Sequence, residues 1–358
     1  GDAPAWQRER AIQGMEAEAP IEPPILERLS AWGYSLVGGE HLWVPRLLSA
    51  LFWISGAMAV FLLGREFGTF DGGVVALFYI LFLPYSIYAS RSFQPDPLMV
   101  ASIAWAMWAA ARWYRLRTIK SALLAGLLAG VSLYIKTVAV FFVGSGLVGL
   151  VLAGIGLRKA LRDRQVWTLG VLTILPTTLF YINGLWISGV LRQQFQYRFF
   201  PDLLRDPAFY IRWQEMATNI CGFGTLLAAL IGLLLLRDSG KRGLLAGMWL
   251  GYVAYSMTFA YHTLTHDYYQ LPLILIIAAS LTVLASEILT RMALVEQSIW
   301  ARLLVIVILF GGAAFKAWDV RVNLARDDYR GDAAFWQEVG EWIPPDSNVL
   351  AMSQAYGQ

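Results

Sequence analysis

Long apolar stretches alternate with short polar segments along the 358 residues of the chain. A bilayer core about 30 Å thick is crossed by roughly 20 apolar residues in a helix. Ten runs of low charge approach that size, so the pattern predicts an all-α polytopic membrane protein with ten transmembrane helices. The runs are residues 45–65, 72–90, 97–111, 121–135, 137–157, 168–188, 217–236, 243–261, 271–286 and 303–318.

The fourth and fifth runs belong to one apolar stretch, residues 121–157, whose only charge is Lys136. At 1.5 Å per residue a single helix of that length would reach about 55 Å, well beyond the thickness of a bilayer core. We therefore expect two spans with a tight turn at Lys136.

Three regions follow from this pattern. Residues 1–44 are polar and proline-rich, and we expect a first extracytoplasmic loop with interfacial helices. Residues 45–318 form the transmembrane domain, in which loop 189–216 alternates aromatic with charged residues and predicts a further interfacial helix. Residues 319–358 are expected to begin a soluble α/β domain, with a helix over 331–342 and a strand over 348–352. We expect the chain to be a fragment that lacks an N-terminal span and most of that domain.

Composition supports the membrane assignment and excludes other classes. Apolar residues make up 58% of the chain and charged residues 15%, against about a quarter in soluble domains, and the mean hydropathy is +0.54. A net charge of +3 is too small to indicate a polyanionic partner, so no nucleic-acid role is expected. The single cysteine, Cys221, excludes an intrachain disulfide.

Lysine and arginine divide unequally between alternate loops. One set of loops holds 14 of them, and the opposite set, which includes Lys136 itself, holds 6. The richer set comprises loops 65–71, 112–120, 158–166, 237–242 and 287–302; the poorer comprises 91–96, 136, 189–216 and 262–270. The positive-inside rule places the richer set in the cytoplasm. The sequence therefore predicts a multi-pass plasma-membrane protein with both ends outside.

Charged groups beside spans are costly and tend to mark function, and here they gather on the predicted outer side. Asp96 lies between two prolines and reads either as a general base or metal ligand, or as the cap of the next helix. Arg91 precedes it in the same loop and is expected to keep it ionised. Lys136 either binds an anion such as phosphate or extends to the interface.

The segment from His262 to Tyr269 is the densest polar cluster between two spans. Zinc is disfavoured, because Thr263 stands where a metalloprotease motif has Glu and because zinc sites need at least three protein ligands. Hydrogen bonding to a phosphate or sugar remains, with an ordinary interfacial loop as the alternative. The chain has no phosphate-binding Walker loop, dinucleotide-binding glycine motif or nucleophile elbow, which argues against nucleotide-driven transport.

Several short motifs, taken in order, resemble a known family. The chain is similar to the integral-membrane type C glycosyltransferases that use lipid-phosphate sugars, a group containing protein O-mannosyltransferases and the bacterial transferases that attach aminoarabinose to lipid A. The motifs are Val44-Pro-Arg46-Leu-Leu-Ser-Ala, Gly64-Arg-Glu-Phe-Gly68, Pro84-Tyr-Ser-Ile-Tyr-Ala-Ser-Arg91, Pro95-Asp96-Pro97, Ile135-Lys136 and His266-Asp-Tyr-Tyr-Gln-Leu-Pro272.

The resemblance implies an outward cavity that holds a polyprenyl-phosphate sugar. It implies a base in the first outer loop, for which Asp2 is the first choice and Glu22 the second, and an assisting acid at Asp96. The expected contacts to the donor phosphate are Arg91, Lys136, His266 and Arg46, and those to the substrate are Asp267 and Tyr268. No resident metal is assigned, and a divalent cation is left open.

The expected activity is transfer of a hexosyl or pentosyl group from the lipid donor to a hydroxyl or phosphate of a lipid, glycan or protein. Such transfer needs a base for the acceptor proton and cations for the departing phosphate, and direct displacement would invert the anomeric centre. The alternative is a transporter or flippase of the same lipids, which needs cations but no base. A glycan polymerase or ligase would be expected to have larger outer loops than 189–216.

Overall fold

The structure is a computed structural model that describes residues 9, 22–189, 191, 199–295, 299–326, 331–344 and 347. The chain divides into two compact units, residues 20–320 and a second made of residues 1–19 with 321–358. All regular elements within the described ranges are helical, which confirms the all-α core. The strand predicted over 348–352 lies outside the described residues, as does Asp2, so the α/β character of the C-terminal region stays a prediction.

Sixteen α-helices are defined within these ranges. In chain order, α1 to α8 are Ile25–Val37, Trp43–Phe67, Phe70–Phe82, Pro84–Ala89, Asp96–Leu116, Ile119–Ile135, Val140–Gly154 and Leu157–Ala160. Helices α9 to α16 are Arg164–Ile182, Pro207–Cys221, Phe223–Leu235, Ser239–Thr258, Ala260–Thr265, Leu271–Val295, Ile299–Arg326 and Asp332–Trp342. Short 3-10 turns cover Thr137–Ala139, Pro201–Arg205 and Asp267–Gln270, and a π-helical turn covers Asn183–Ile187.

Helices overlap all ten predicted spans, but the count of ten is not confirmed. Four described helical segments are long and apolar enough to cross a membrane, and a bent pair makes a fifth. The four are Trp43–Phe67, Thr137–Gly154, Arg164–Ile187 and Asp267–Met292. Helices α3 and α6 are apolar but have only 13 and 17 residues, whereas α5 and α12 are long enough but more polar.

The apolar stretch 121–157 breaks at the residue that the sequence indicated. Helix α6 ends at Ile135, Lys136 is extended with φ −151° and ψ 114°, and a 3-10 turn leads into α7. The predicted break at Lys136 is therefore confirmed. Its cause is the cost of placing a charge within an apolar helix, which is avoided when the chain turns at the charged residue.

The bent pair consists of α10 and α11, which meet at 92°. Gly222 lies between them with φ 85° and ψ 133°, a left-handed conformation that favours glycine. Helix α10 contains Phe209, Tyr210, Arg212 and Trp213 from the segment for which an interfacial helix was predicted, and its right angle to the apolar α11 suits that position. The predicted span 217–236 began too early, because residues 217–221 belong to α10.

Close helix contacts hold the bundle together. A Cβ built on Gly149 of α7 would lie 2.0 Å from the carbonyl oxygen of Gly243 in α12, and one on Gly251 would lie 1.9 Å from that of Phe141. Small residues of this kind allow membrane helices to pack backbone against backbone. The first half of α14 is the most enclosed segment, with residues 273–279 fully buried.

Ion pairs and hydrogen bonds join the lysine- and arginine-rich loops at one end of the bundle. Arg115 donates two hydrogen bonds of 2.8 Å to Glu66, whose backbone carbonyl accepts a hydrogen bond from Lys241. The remaining pairs link the other loops of the same set: Arg117 with Asp163, and Arg237 with Glu287. Charge alone therefore grouped these five loops correctly at one end.

Candidate functional site

A buried ion pair joins the residue that begins α5 to the residue that directly follows α6. The Lys136 ammonium donates a hydrogen bond of 2.9 Å to Oδ2 of Asp96. The Asp96 side chain is 3% exposed and that of Lys136 is 14% exposed, so solvent screens the pair weakly. Two residues that the sequence singled out independently are thus in direct contact.

The chain around Asp96 explains its position. Pro95 occupies the N-cap position of α5, the helix begins at Asp96 itself, and no side chain caps this end. The interpretation of Asp96 as a helix cap is therefore wrong. Its carboxylate accepts a hydrogen bond from Lys136 instead, because the ammonium offers a charge-assisted bond in a buried place.

Glu22 is the third charged group of the site. Its Oε1 lies 3.8 Å from the Lys136 nitrogen. Its side chain is 25% exposed, which makes Glu22 more accessible than Asp96. Glu22 precedes Pro23 and Pro24, which lead into α1. Two carboxylates thus share one ammonium group, and the three side chains together bear one net negative charge when all are ionised.

An aromatic wall completes the site. The Lys136 nitrogen lies 5.9 Å from the ring centre of Tyr268, within the range of a cation–π contact. Tyr268 and Tyr269 belong to the 3-10 turn 267–270, and their ring centres are 5.1 Å apart. His262 stacks on Tyr269 at 5.5 Å, and His266 lies edge-on to Tyr268 at 5.4 Å.

The surroundings of Lys136 favour its charged form. Burial lowers the pKa of Lys136, but Asp96 and then Glu22 act in the opposite direction and hold it above its ordinary value. Lys136 therefore keeps its positive charge at neutral pH.

An apolar cavity of about 830 Å³ reaches this part of the bundle. Asp267 and Tyr85 are among its few polar lining groups, and its apolar walls come from α3, α4, the junction of α10 with α11, α14 and α15. The Tyr85 hydroxyl lies close to the Asp267 carboxylate and, at a greater distance, to that of Asp96. Tyr85 thus lines the cavity and senses the charge of Asp96 in the ion pair.

The other predicted site residues are not part of the ion-paired group. Arg46 and Arg91 are exposed and form no ion pair with any described residue, so Arg91 is not the charged partner of Asp96. Lys136 takes that place because it reaches Asp96 from a neighbouring helix end. Asp267 is exposed, and His266 is half-buried with Nδ1 2.8 Å from the Thr265 hydroxyl.

Two aromatic residues at the site, Tyr85 and Tyr269, were not among the predicted site residues. Tyr85 lies within a motif that carried the family resemblance, and Tyr269 follows the predicted Tyr268, so both were within reach of the sequence signals. Within the described ranges, no group of three or more His, Cys, Asp and Glu residues is arranged to hold a metal ion.

Apolar helices with an ion-paired site at one end of the bundle define a helical membrane protein. Residues 22–182 match the family model of the dolichyl-phosphate-mannose-protein mannosyltransferases. This part of the chain therefore has the sequence pattern of a membrane glycosyltransferase family that uses a lipid-linked sugar, and the resemblance drawn from the motifs is confirmed. The matched range contains Glu22, Asp96 and Lys136, whereas Tyr268 lies beyond it.

The fold is similar to that of a solved structure, ArnT from Cupriavidus metallidurans in the apo state. The TM-score is 0.54 at 16% sequence identity, and the match covers 81% of this chain and 53% of that chain. The chain thus spans about half the length of this structure, and at this identity the similarity concerns the fold. No curated protein sequence matches the chain.

Proposed function

We propose that the protein transfers a sugar from a polyprenyl-phosphate donor to an acceptor hydroxyl or phosphate, at the extracytoplasmic face of the plasma membrane. The observation that carries this proposal is the buried Lys136 between Asp96 and Glu22, on the end of the bundle opposite the basic loops. The positive-inside rule supports the outward side. The acceptor belongs to a lipid, a glycan or a protein.

Lys136 is the group that meets the donor phosphate in this proposal. A partly buried ammonium gains more from an anion than an exposed one does, because the effective dielectric around it is lower. Asp96 orients the ammonium through its 2.9 Å hydrogen bond. Arg91, Arg46 and His266 are proposed to add contacts to the donor, and Asp267 and Tyr268 to the substrate.

Glu22 is the described carboxylate best placed to accept the acceptor proton, since it is more exposed than Asp96 and more weakly held by Lys136. Asp2 remains the other candidate base. In the proposed step the acceptor oxygen loses its proton to the carboxylate and attacks the anomeric carbon. The bond from that carbon to the phosphate oxygen breaks, and the phosphate leaves with the electron pair beside Lys136. A single displacement of this kind inverts the anomeric centre.

The test is an assay of purified protein in lipid nanodiscs with a panel of labelled polyprenyl-phosphate sugars, followed by thin-layer chromatography. The wild type should consume one of the donors, and Lys136→Met should raise the KM for that donor. Lys120→Met removes an exposed lysine from the basic end of the bundle and is the matched control. Consumption of no donor by the wild type, or an unchanged donor KM in Lys136→Met, would contradict the proposal.

A flippase for the same lipids is the second candidate, and the apolar cavity of about 830 Å³ that Tyr85 and Asp267 help to line is the observation that favours it. The two functions differ in the fate of the donor. Proteoliposomes that move labelled donor between leaflets without cleaving it would indicate a flippase. Glu22→Gln separates them further, because loss of a positioned base lowers transfer by about 100- to 10,000-fold while a flippase has no use for a base.

A further inference from the structure

A chain of side-chain hydrogen bonds, whose inner members are buried, runs from the half-buried Trp213 of helix α10 to the segment that carries Tyr268. The indole Nε1 of Trp213 donates to the Tyr252 hydroxyl at 2.9 Å, and that hydroxyl donates a short hydrogen bond to Oε1 of Gln270. The amide Nε2 of Gln270 donates to the backbone carbonyl of Thr263 at 3.2 Å. Gln270 and Thr263 are fully buried, and Tyr252 nearly so.

This arrangement gives a hydrogen-bond donor to a backbone carbonyl, that of Thr263, at the end of a short helix. Helix α13 has only six residues, so its last carbonyl groups lack helical partners. The side chain of Gln270 reaches back to one of these carbonyls and closes the loop between residues 263 and 270. Because buried polar groups without partners are costly, each member of the chain holds its neighbour in one geometry.

Helix α12 holds the same segment at a second point. Tyr255 lies one turn after Tyr252, and its ring stacks on Tyr269 at 5.4 Å with an interplanar angle of 16°. Gln270 and Tyr269 are the residues that follow Tyr268 directly. The two contacts therefore fix the backbone on which the Tyr268 ring lies beside Lys136.

We propose that Trp213, Tyr252 and Gln270 form a positioning network that sets Tyr268 against Lys136 for donor binding. The inference rests on the proposed function, because it assigns the network to the site at which that function places the donor phosphate. Their hydrogen bonds lead to Gln270 and the Thr263 carbonyl, so these three residues are positioning residues and act through Tyr268. Misplacement of a binding group by about 1 Å is enough to cost on the order of 100-fold in rate.

The test compares Tyr252→Phe, which removes both hydrogen bonds of the hydroxyl, with Trp213→Phe, which removes only the outer one. The matched control lies at the opposite end of the bundle, where Trp113 Nε1 donates to Gln165 Oε1 at 2.9 Å and Gln165 donates to the carbonyl of Arg117. Trp113→Phe removes a hydrogen bond of the same type far from the site. Donor KM and kcat are measured in each variant, together with amide hydrogen exchange of residues 260–271.

We expect Tyr252→Phe to raise the donor KM about tenfold or more and to speed exchange in residues 260–271, with a smaller change in Trp213→Phe. Trp113→Phe should leave both quantities at wild-type values. Wild-type kinetics in Tyr252→Phe, or equal losses in Tyr252→Phe and Trp113→Phe, would overturn the inference. A wild-type protein that consumes no donor contradicts the proposed function instead. The exchange measurement then still decides whether the network orders the segment, and unchanged exchange in Tyr252→Phe would overturn that part as well.

Discussion

The pairing of one lysine with two unequal carboxylates predicts an order of stabilities among simple variants. At an effective dielectric of about 20, the attraction is about 6 kcal/mol at the 2.9 Å between Lys136 and Asp96 and about 4 kcal/mol at the 3.8 Å to Glu22. These are gross attractions, and the cost of removing the charges from water offsets most of them. Differences in stability between variants are therefore more informative than the summed attractions.

Lys136→Met leaves the nearly inaccessible Asp96 carboxylate without its lysine, and removal of one partner of a buried pair costs about 3–5 kcal/mol. Asp96→Asn leaves Lys136 with Glu22 and should cost about half as much. The double variant leaves no deeply buried charge unpaired, so we expect it to be more stable than Lys136→Met alone. An interpretation of Asp96 as a simple helix cap predicts no loss in Asp96→Asn, since Asn caps as well as Asp.

The chain contains its own reporter for this measurement. Cys221 is the single cysteine and is buried, so a thiol-reactive fluorophore reports unfolding in detergent as the temperature rises. Asp202→Asn is the control, because Asp202 and its partner Arg205 are both exposed and such pairs contribute about 1 kcal/mol or less. The reasoning is refuted if Asp96→Asn melts below Lys136→Met, or if the losses of the two single variants add in the double variant.

Three further predictions follow from the bundle and its ends. In a Cys221→Ser background, an impermeant maleimide should label Thr265→Cys but not Lys120→Cys in intact cells, and the reverse pattern would invert the topology. Gly251→Ala should destabilise the α7–α12 contact by about 1–3 kcal/mol, because its Cβ would overlap the carbonyl of Phe141, whereas Gly170→Ala, which meets nothing within 4 Å, should be neutral or stabilising by melting temperature. Folding raises the pKa of Lys136, so its contribution to stability is fully present below its unfolded pKa of about 10.4 and is lost only as the pH rises through the higher folded value. The difference in melting temperature between wild type and Lys136→Met should therefore stay constant from about pH 6 to 9. A fall in that difference within this range would contradict the assignment.

The features that the sequence predicted are those that depend on local composition. Apolar runs located the helices, because burial of apolar residues in a bilayer needs only a continuous stretch. The lone charge of Lys136 located the break between α6 and α7, and loop charges grouped the basic end. In each case the physical cause lies within a few residues of its effect.

The partners of Lys136 depend on packing between distant segments, which hydropathy does not encode. Arg91 is near Asp96 in the chain, yet Lys136 is near it in space, forty residues further on. The sequence did not predict the bend between α10 and α11, because a single glycine with positive φ does not alter the apolar pattern around it. Gln270 likewise looked like part of an interfacial loop, although it is fully buried.

The ion pair and its aromatic wall come from parts of the chain that the ribosome makes at different times. Glu22, Asp96 and Lys136 are all synthesised before α9 ends, whereas Tyr268 follows only after α12. The charged part of the site is therefore able to form early in membrane insertion, and the wall closes over it when the later helices dock. A chain cut within loop 237–242 and co-expressed as two pieces should regain donor binding only if the second piece docks on the first, so assembly of the site would report assembly of the bundle.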